Sequence, residues 1–178
     1  MKNREKLIKM VLAGLFLALS FVMPFLTGQI PEIGAMLCPL HIPVLLCGFI
    51  CGPTWGLAVG FTAPLLRSLT LGMPPLFPTA VCMALELAVY GVTAGLMHKI
   101  LPRKKPFIYL SLLVSMLLGR IVWGVSMFAL IGMNGGVFTF PMFIAGAFTN
   151  ALPGIIVQIV IIPILVMLYE AYVSKEKT

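Results

Sequence analysis

The chain has 178 residues, of which 61% are hydrophobic and only 10% are charged, and its mean hydropathy is +1.12. A soluble domain of this size needs far more charge to cover its surface, so the composition excludes that class. Because a membrane-spanning helix uses about 20 residues, the chain has room for about six such helices joined by short loops. We therefore predict an all-α, polytopic membrane protein, a six-helix bundle whose single domain covers residues 1–178.

The basic residues are distributed as in a membrane protein, although a net charge of +7 would also suit a nucleic-acid-binding protein. Ten of the twelve Lys and Arg lie in three groups beside apolar segments, and the first, third and fifth loops contain none. The positive-inside rule predicts cytoplasmic N- and C-termini in the plasma membrane, with the basic residues on anionic lipid headgroups and no nucleic acid bound. The three groups are Lys2, Arg4, Lys6 and Lys9; Lys99, Arg103, Lys104 and Lys105; and Lys175 and Lys177.

Glycine and proline divide the apolar sequence into the predicted helices. The second is short and irregular because Pro39 and Pro43 interrupt it, and the sixth is long enough to tilt or protrude. The six helices cover about 7–26, 35–51, 54–71, 79–100, 107–130 and 142–172.

Helix one carries a pair of small residues, Gly14 and Ala18, one helical turn apart. Small residues at this spacing let two membrane helices approach closely. The pair either packs inside the bundle or docks a second membrane subunit, and the sequence leaves both open.

Each of the five predicted helices after the first places a polar residue in the half that lies nearer the outside of the cell, as judged from the distribution of basic residues. A charge that faces lipid costs at least about 2.5–3.5 kcal/mol, so these side chains are expected to face one another or a wet cavity. Aromatic residues one turn from two of them, Tyr90 after Glu86 and Trp123 after Arg120, extend the predicted site. The polar residues, in chain order, are His41, Arg67, Glu86, Arg120 and Asn150.

Charge counting within this layer predicts the ligand. Two arginines face one acid, so with His41 neutral one positive charge remains, which suits a solute with a single carboxylate. The sequence leaves open which arginine pairs with Glu86, although the greater depth of Arg120 favours it over Arg67 for the ligand. A purely internal Arg–Glu pair, and aromatic residues that only pack, are the plain structural alternatives.

Motifs of familiar enzymes are missing from the chain. It has no phosphate-binding loop, no zinc-protease or serine-hydrolase motif and no Asp, and its cysteines lack metal-ligand spacing. We therefore predict a protein that is not an enzyme, without catalytic residues, a bound metal or a cofactor.

Three stretches resemble the substrate-binding S components of energy-coupling factor (ECF) vitamin transporters, in particular those assigned to pantothenate. They are residues 36–52 (MLCPLHIPVLLCGFICG), 64–69 (PLLRSL) and 72–80 (GMPPLFPTA). The architecture is similar over the whole chain, whereas the sharper similarity covers about 27–91.

The resemblance implies a subunit that captures a vitamin outside the cell and has no ATPase of its own. It implies docking on a module of one transmembrane coupling subunit and two ATPases, which topples the S component to release the vitamin inside. The family's docking motif on helix one is usually Ala-x-x-x-Ala, and here Gly14 and Ala18 have that spacing. The glycine- and proline-containing loops after helices one and three are where the family's lids lie.

Other functions compete with pantothenate capture. The ligand is alternatively another vitamin or precursor, such as a pyridoxine-like compound or a different small acid. A membrane enzyme is disfavoured by the missing nucleophile and metal clusters, and a purely structural subunit does not need five polar groups at one depth.

Overall fold

The computed structural model describes residues 2–27, 30–102, 104–133 and 135–175, and they form an all-α bundle. Arg103 and Lys177 of the predicted basic groups, and residues 28 and 29 of the first loop, lie outside the described residues. The helices are α1 (Lys2–Val22), α2 (Pro31–Leu37), α3 (His41–Cys51), α4 (Pro53–Leu71), α5 (Val81–Ile100), α6 (Lys105–Met133), α7 (Phe140–Ile144) and α8 (Leu152–Lys175).

The second predicted helix is two short helices, and α3 is the central element of the bundle. The first of these, α2, ends before Cys38, whose backbone is left-handed (φ 47°), and α3 begins at His41. Pro39 cannot donate a backbone hydrogen bond and disfavours a helical conformation at Cys38, which explains the break that the sequence predicted here. Ten of the eleven residues of α3 are buried, because α1, α4, α5 and α8 all pack around it.

Helices α4 and α5 make the most extensive helix–helix contact in the described residues. Glycines on the two helices allow this close approach. A Cβ atom added to Gly56 would lie 2.5 Å from the carbonyl oxygen of Gly91, and one added to Gly48 of α3 would be equally close to the same oxygen. Without a glycine at these positions the three backbones could not approach so closely. We call this contact of Gly48, Gly56 and Gly91 the glycine seam.

The last predicted helix, 142–172, is also divided. Helix α7 ends at Ile144, a wide helical turn follows over Ala145–Thr149, and α8 begins at Leu152. Pro153 explains the break, because a proline lacks the N–H that would continue the helix and its ring clashes with the carbonyl four residues earlier. Pro163 is accommodated inside α8.

Four helical stretches of the described chain are long and apolar enough to cross a membrane: Asn3–Phe25, Leu76–Ile100, Lys105–Met133 and Leu152–Lys175. Helix α4, with 19 residues, packs on α3 and α5, and α3 is a shorter apolar helix. The all-α membrane bundle is therefore confirmed, whereas the count of six crossings and the single-domain division stay predictions.

Candidate functional site

A cavity of about 320 Å³ opens where the α2–α3 break, α4, α5 and α6 meet. Its volume is at the lower end of the range for small-molecule sites, roughly 300–1,000 Å³. The proline-rich segment after α4 contributes Met73, Pro74 and Pro75 to the wall. In this segment the Met73–Pro74 and Phe77–Pro78 peptide bonds are both cis.

An ion pair lies at the α5–α6 side of the cavity. The Nη1 atom of Arg120 lies 3.1 Å from Oε1 of Glu86, and both side chains line the cavity although they are 6% and 1% exposed. The Nε2 atom of His41 lies 3.5 Å from the same oxygen. These three groups, which the sequence predicted to meet, form one polar cluster that we call the Glu86 cluster.

The α2–α3 break completes the surroundings of Arg120. Its Nη2 atom donates a hydrogen bond to Sγ of Cys38, at 3.5 Å. Cys38 is buried and also lines the cavity, but the sequence interpretation did not select it. Its position immediately before Pro39, at the predicted helix break, was the signal that would have identified it.

Arg67 lines the cavity from α4 and has a different set of partners. Its Nη1 atom donates a hydrogen bond to the backbone carbonyl of Phe21, at 3.0 Å, and its guanidinium lies over the ring of Phe25, 5.8 Å from the centroid. The side chain is buried, with 3% exposure. Within the part of the chain that the structure describes, no carboxylate lies within salt-bridge distance of Arg67.

The structure therefore gives the acid to Arg120 and leaves Arg67 as the arginine without one. This is the reverse of the assignment that depth alone favoured, in which Arg120 met the ligand. The cause is the helix order: α5 packs on both α4 and α6, and its rotation brings Glu86 to α6.

The two predicted aromatic residues differ in position. Trp123 lines the cavity and stacks on Phe143, with ring centroids 6.4 Å apart. Tyr90 is completely buried behind the cavity wall, where its ring meets the ring of His41 edge to face at 5.2 Å. Tyr90 thus contacts the site through His41 rather than lining it.

Asn150 is a predicted site residue that, like Tyr90, does not line the cavity, and it has no contact with the Glu86 cluster among the interactions of the described residues. It lies at the break between α7 and α8, is exposed to the surroundings and is absent from the cavity wall. The prediction depended on a continuous sixth helix, which the break at Pro153 interrupts.

Gly14 and Ala18 lie on the exposed side of α1, whereas Ala13 is buried against the bundle. Large apolar side chains surround them on that side, among them Val11, Leu15 and Leu19. The pair is thus free of internal packing: a Cβ atom added to Gly14 would meet nothing within 4 Å.

Metal-binding groups are not assembled within the described chain. No three His, Cys, Asp or Glu side chains of the described residues are grouped so that they could hold an ion. The four cysteines are all buried and form no disulfide with one another: Cys38, Cys47, Cys51 and Cys82.

Comparison with known proteins gives one family. Residues 8–166 match the model of the ECF transporter substrate-specific component family. No curated protein and no solved structure matched the chain.

Proposed function

Because the chain belongs to the family of ECF transporter substrate-specific components, we propose that the small molecule it captures is a singly anionic vitamin, most specifically pantothenate. Members of this family are substrate-binding subunits of transporters and not enzymes. They dock on an ECF module, so the general partners of this membrane protein are that module and a small-molecule substrate.

The observation that carries the choice of an anion is Arg67. It is a buried cation in the cavity wall with no carboxylate partner in the described residues, whereas the charge of Arg120 is balanced by Glu86. A guanidinium in this position binds a carboxylate through two parallel hydrogen bonds. Pantothenate has one carboxylate, while a pyridoxine-like compound has none, so the charge favours the acid.

Equilibrium binding tests the substrate directly. The purified chain in detergent should bind labelled pantothenate saturably and tightly, and an excess of unlabelled pantothenate should displace it. Saturable binding of a pyridoxine-like compound with none of pantothenate would replace the substrate proposal with that vitamin. Failure to bind any vitamin would contradict it altogether.

The proposed partner is a module of one transmembrane coupling subunit and two ATPases, docked on the exposed face of α1 at Gly14 and Ala18. Support comes from the exposure of both residues and the open space at Gly14. In this proposal the N- and C-termini are cytoplasmic, on the side where the ATPases lie. Lys104, exposed between α5 and α6, and Lys105, exposed at the start of α6, would be on that side too.

Replacing Gly14 with Leu tests the docking face. The larger side chain should prevent the two helices from approaching closely, so the coupling subunit and the ATPases should no longer co-purify with the variant. Pantothenate binding by the isolated variant should stay the same, since Gly14 is exposed and does not line the cavity. Full co-purification of the module with the variant would place docking elsewhere.

A further inference from the structure

The cavity has two polar ends that are built differently. Arg67 enters from α4 and the Glu86 cluster from α5 and α6, while α4 and α6 each pack on α5. Since packed helices have axes about 8–10 Å apart, we infer that side chains from these two different neighbours of α5 reach the cavity from different sides. Their partners also differ, because Arg67 bonds to α1 and Arg120 to Glu86 and Cys38.

The Arg67 end can take a negative charge. A guanidinium has five N–H donors, and the hydrogen bond to Phe21 uses one of them. The buried position keeps water from competing for the charge, which strengthens its attraction to an anion. One carboxylate on the ligand is enough to balance the charge of Arg67.

The Glu86 end suits an uncharged hydroxyl group instead. Arg120 neutralises the carboxylate, yet the two oxygens retain capacity to accept hydrogen bonds. Both ring nitrogens of His41 are buried and form no hydrogen bond within the described residues, the contact with Glu86 being long at 3.5 Å. A ligand carboxylate placed here would find no unbalanced positive charge, because Arg120 is already paired with Glu86, whereas a hydroxyl group can donate to the carboxylate oxygen and accept from an imidazole N–H.

Apolar side chains line much of the rest of the cavity. They include Pro24, Leu40, Pro74 and Met83. This part of the wall offers contact to carbon atoms and few hydrogen bonds, so a ligand with branched alkyl carbons beside its polar groups matches the wall.

We propose that the cavity recognises its ligand at two ends: Arg67 binds a single carboxylate, and Glu86 and His41 bind one or more alcohol hydroxyls. The substrate class is then that of hydroxylated monocarboxylic acids, and a second negative charge on the ligand is disfavoured because Arg67 is the single unbalanced cation among the described residues that line the cavity. This inference rests on the proposed function, and it adds to it the orientation of the ligand and the residue that recognises each group.

Three related ligands and two variants test the orientation. The ligands are pantothenate, panthenol, in which an alcohol replaces the carboxylate, and the analogue of pantothenate that lacks both hydroxyl groups. Their dissociation constants are measured for the wild-type chain, for Arg67→Gln and for Glu86→Gln. Thr70→Ala on α4 and Thr93→Ala on α5 are the matched controls, since neither residue lines the cavity.

In the wild type, panthenol and the analogue without hydroxyls should each bind about 100-fold more weakly than pantothenate, the ratio expected when a buried polar group loses its partner. Arg67→Gln should abolish the preference for pantothenate over panthenol and keep the preference for hydroxyls. Glu86→Gln should weaken the preference for hydroxyls, because an amide oxygen is a weaker acceptor than a carboxylate, and should keep or increase that for the carboxylate, because Arg120 is then unbalanced. Both control variants should keep both preferences.

The opposite pattern, in which Glu86→Gln removes the preference for the carboxylate, would overturn the proposed orientation. Equal loss of both preferences in each variant would overturn it as well, because it would reveal a general loss of structure. Where a variant does not fold, Arg67→Lys and His41→Gln replace it and should change the same ratios in the same direction. Absence of pantothenate binding to the wild type would instead contradict the proposed substrate, and the inference with it.

Discussion

The Arg120–Glu86 pair joins two opposite charges in the cavity wall. Both residues are almost completely buried, and the pair joins α5 to α6. Such a pair contributes little net stability over an apolar one, because each ion loses its hydration. Removing one partner is different, since it leaves the other as an uncompensated buried charge.

Arg120→Met should therefore lower the free energy of unfolding by about 3–5 kcal/mol. The double variant Arg120→Met with Glu86→Leu removes both charges and should recover most of this loss. Thermal unfolding in detergent measures both. A double variant no more stable than the single one would contradict the pairing of these two residues.

At this scale the sequence predicted which residue types meet but not how they pair. Charge and depth brought His41, Arg67, Glu86 and Arg120 together, and all four line the cavity. The partner of Arg67 was not predictable from residue types, because it is a backbone carbonyl. Phe21 lies in the last turn of α1, where carbonyl groups lack partners within the helix, and only the packed structure shows which side chain reaches them.

Among the helices, the glycine seam allows a direct test. Gly91→Ala places a methyl group against the backbone of Gly56, which cannot move without separating α4 from α5. We expect a loss of about 1–3 kcal/mol in the free energy of unfolding, and more if the helices cannot adjust.

Gly14→Ala is the matched control, because nothing lies within 4 Å of the added methyl group and alanine is the better helix former. It should leave the stability of the isolated chain unchanged or raise it by up to about 1 kcal/mol. Equal effects of the two substitutions in thermal unfolding would contradict the close backbone approach at Gly91.

Hydropathy predicted the helices well where an apolar run ends at glycine, proline or charge. It predicted α4 as 54–71 against the observed Pro53–Leu71. It failed at the α7–α8 break, because the residues on both sides of Asn150 are apolar and the run continues through Pro153. A break inside an apolar run changes the direction of the chain without changing its hydropathy, so Asn150 was assigned to a helix interior and to the site.

For the whole molecule, the orientation in the membrane makes a prediction that labelling can check. The four native cysteines are buried, so a membrane-impermeant maleimide should react little with the wild type. Val137→Cys, in the exposed loop between α6 and α7, should be labelled on intact cells. Lys105→Cys should be labelled only after the membrane is opened, since the start of α6 is proposed to be cytoplasmic. Labelling of Lys105→Cys on intact cells would reverse the orientation.

The glycine seam has a consequence for ligand binding, because it suggests that affinity and the rates of ligand entry and release depend on different parts of the protein. Backbones in direct contact leave no room for compression, so we expect α3, α4 and α5 to move together and to keep His41, Arg67 and Glu86 at constant spacing. The residues Met73–Pro75 line the cavity but lie outside the seam. We therefore expect substitutions in that segment to alter how fast a ligand enters and leaves, and substitutions on the three packed helices to alter how tightly it is held.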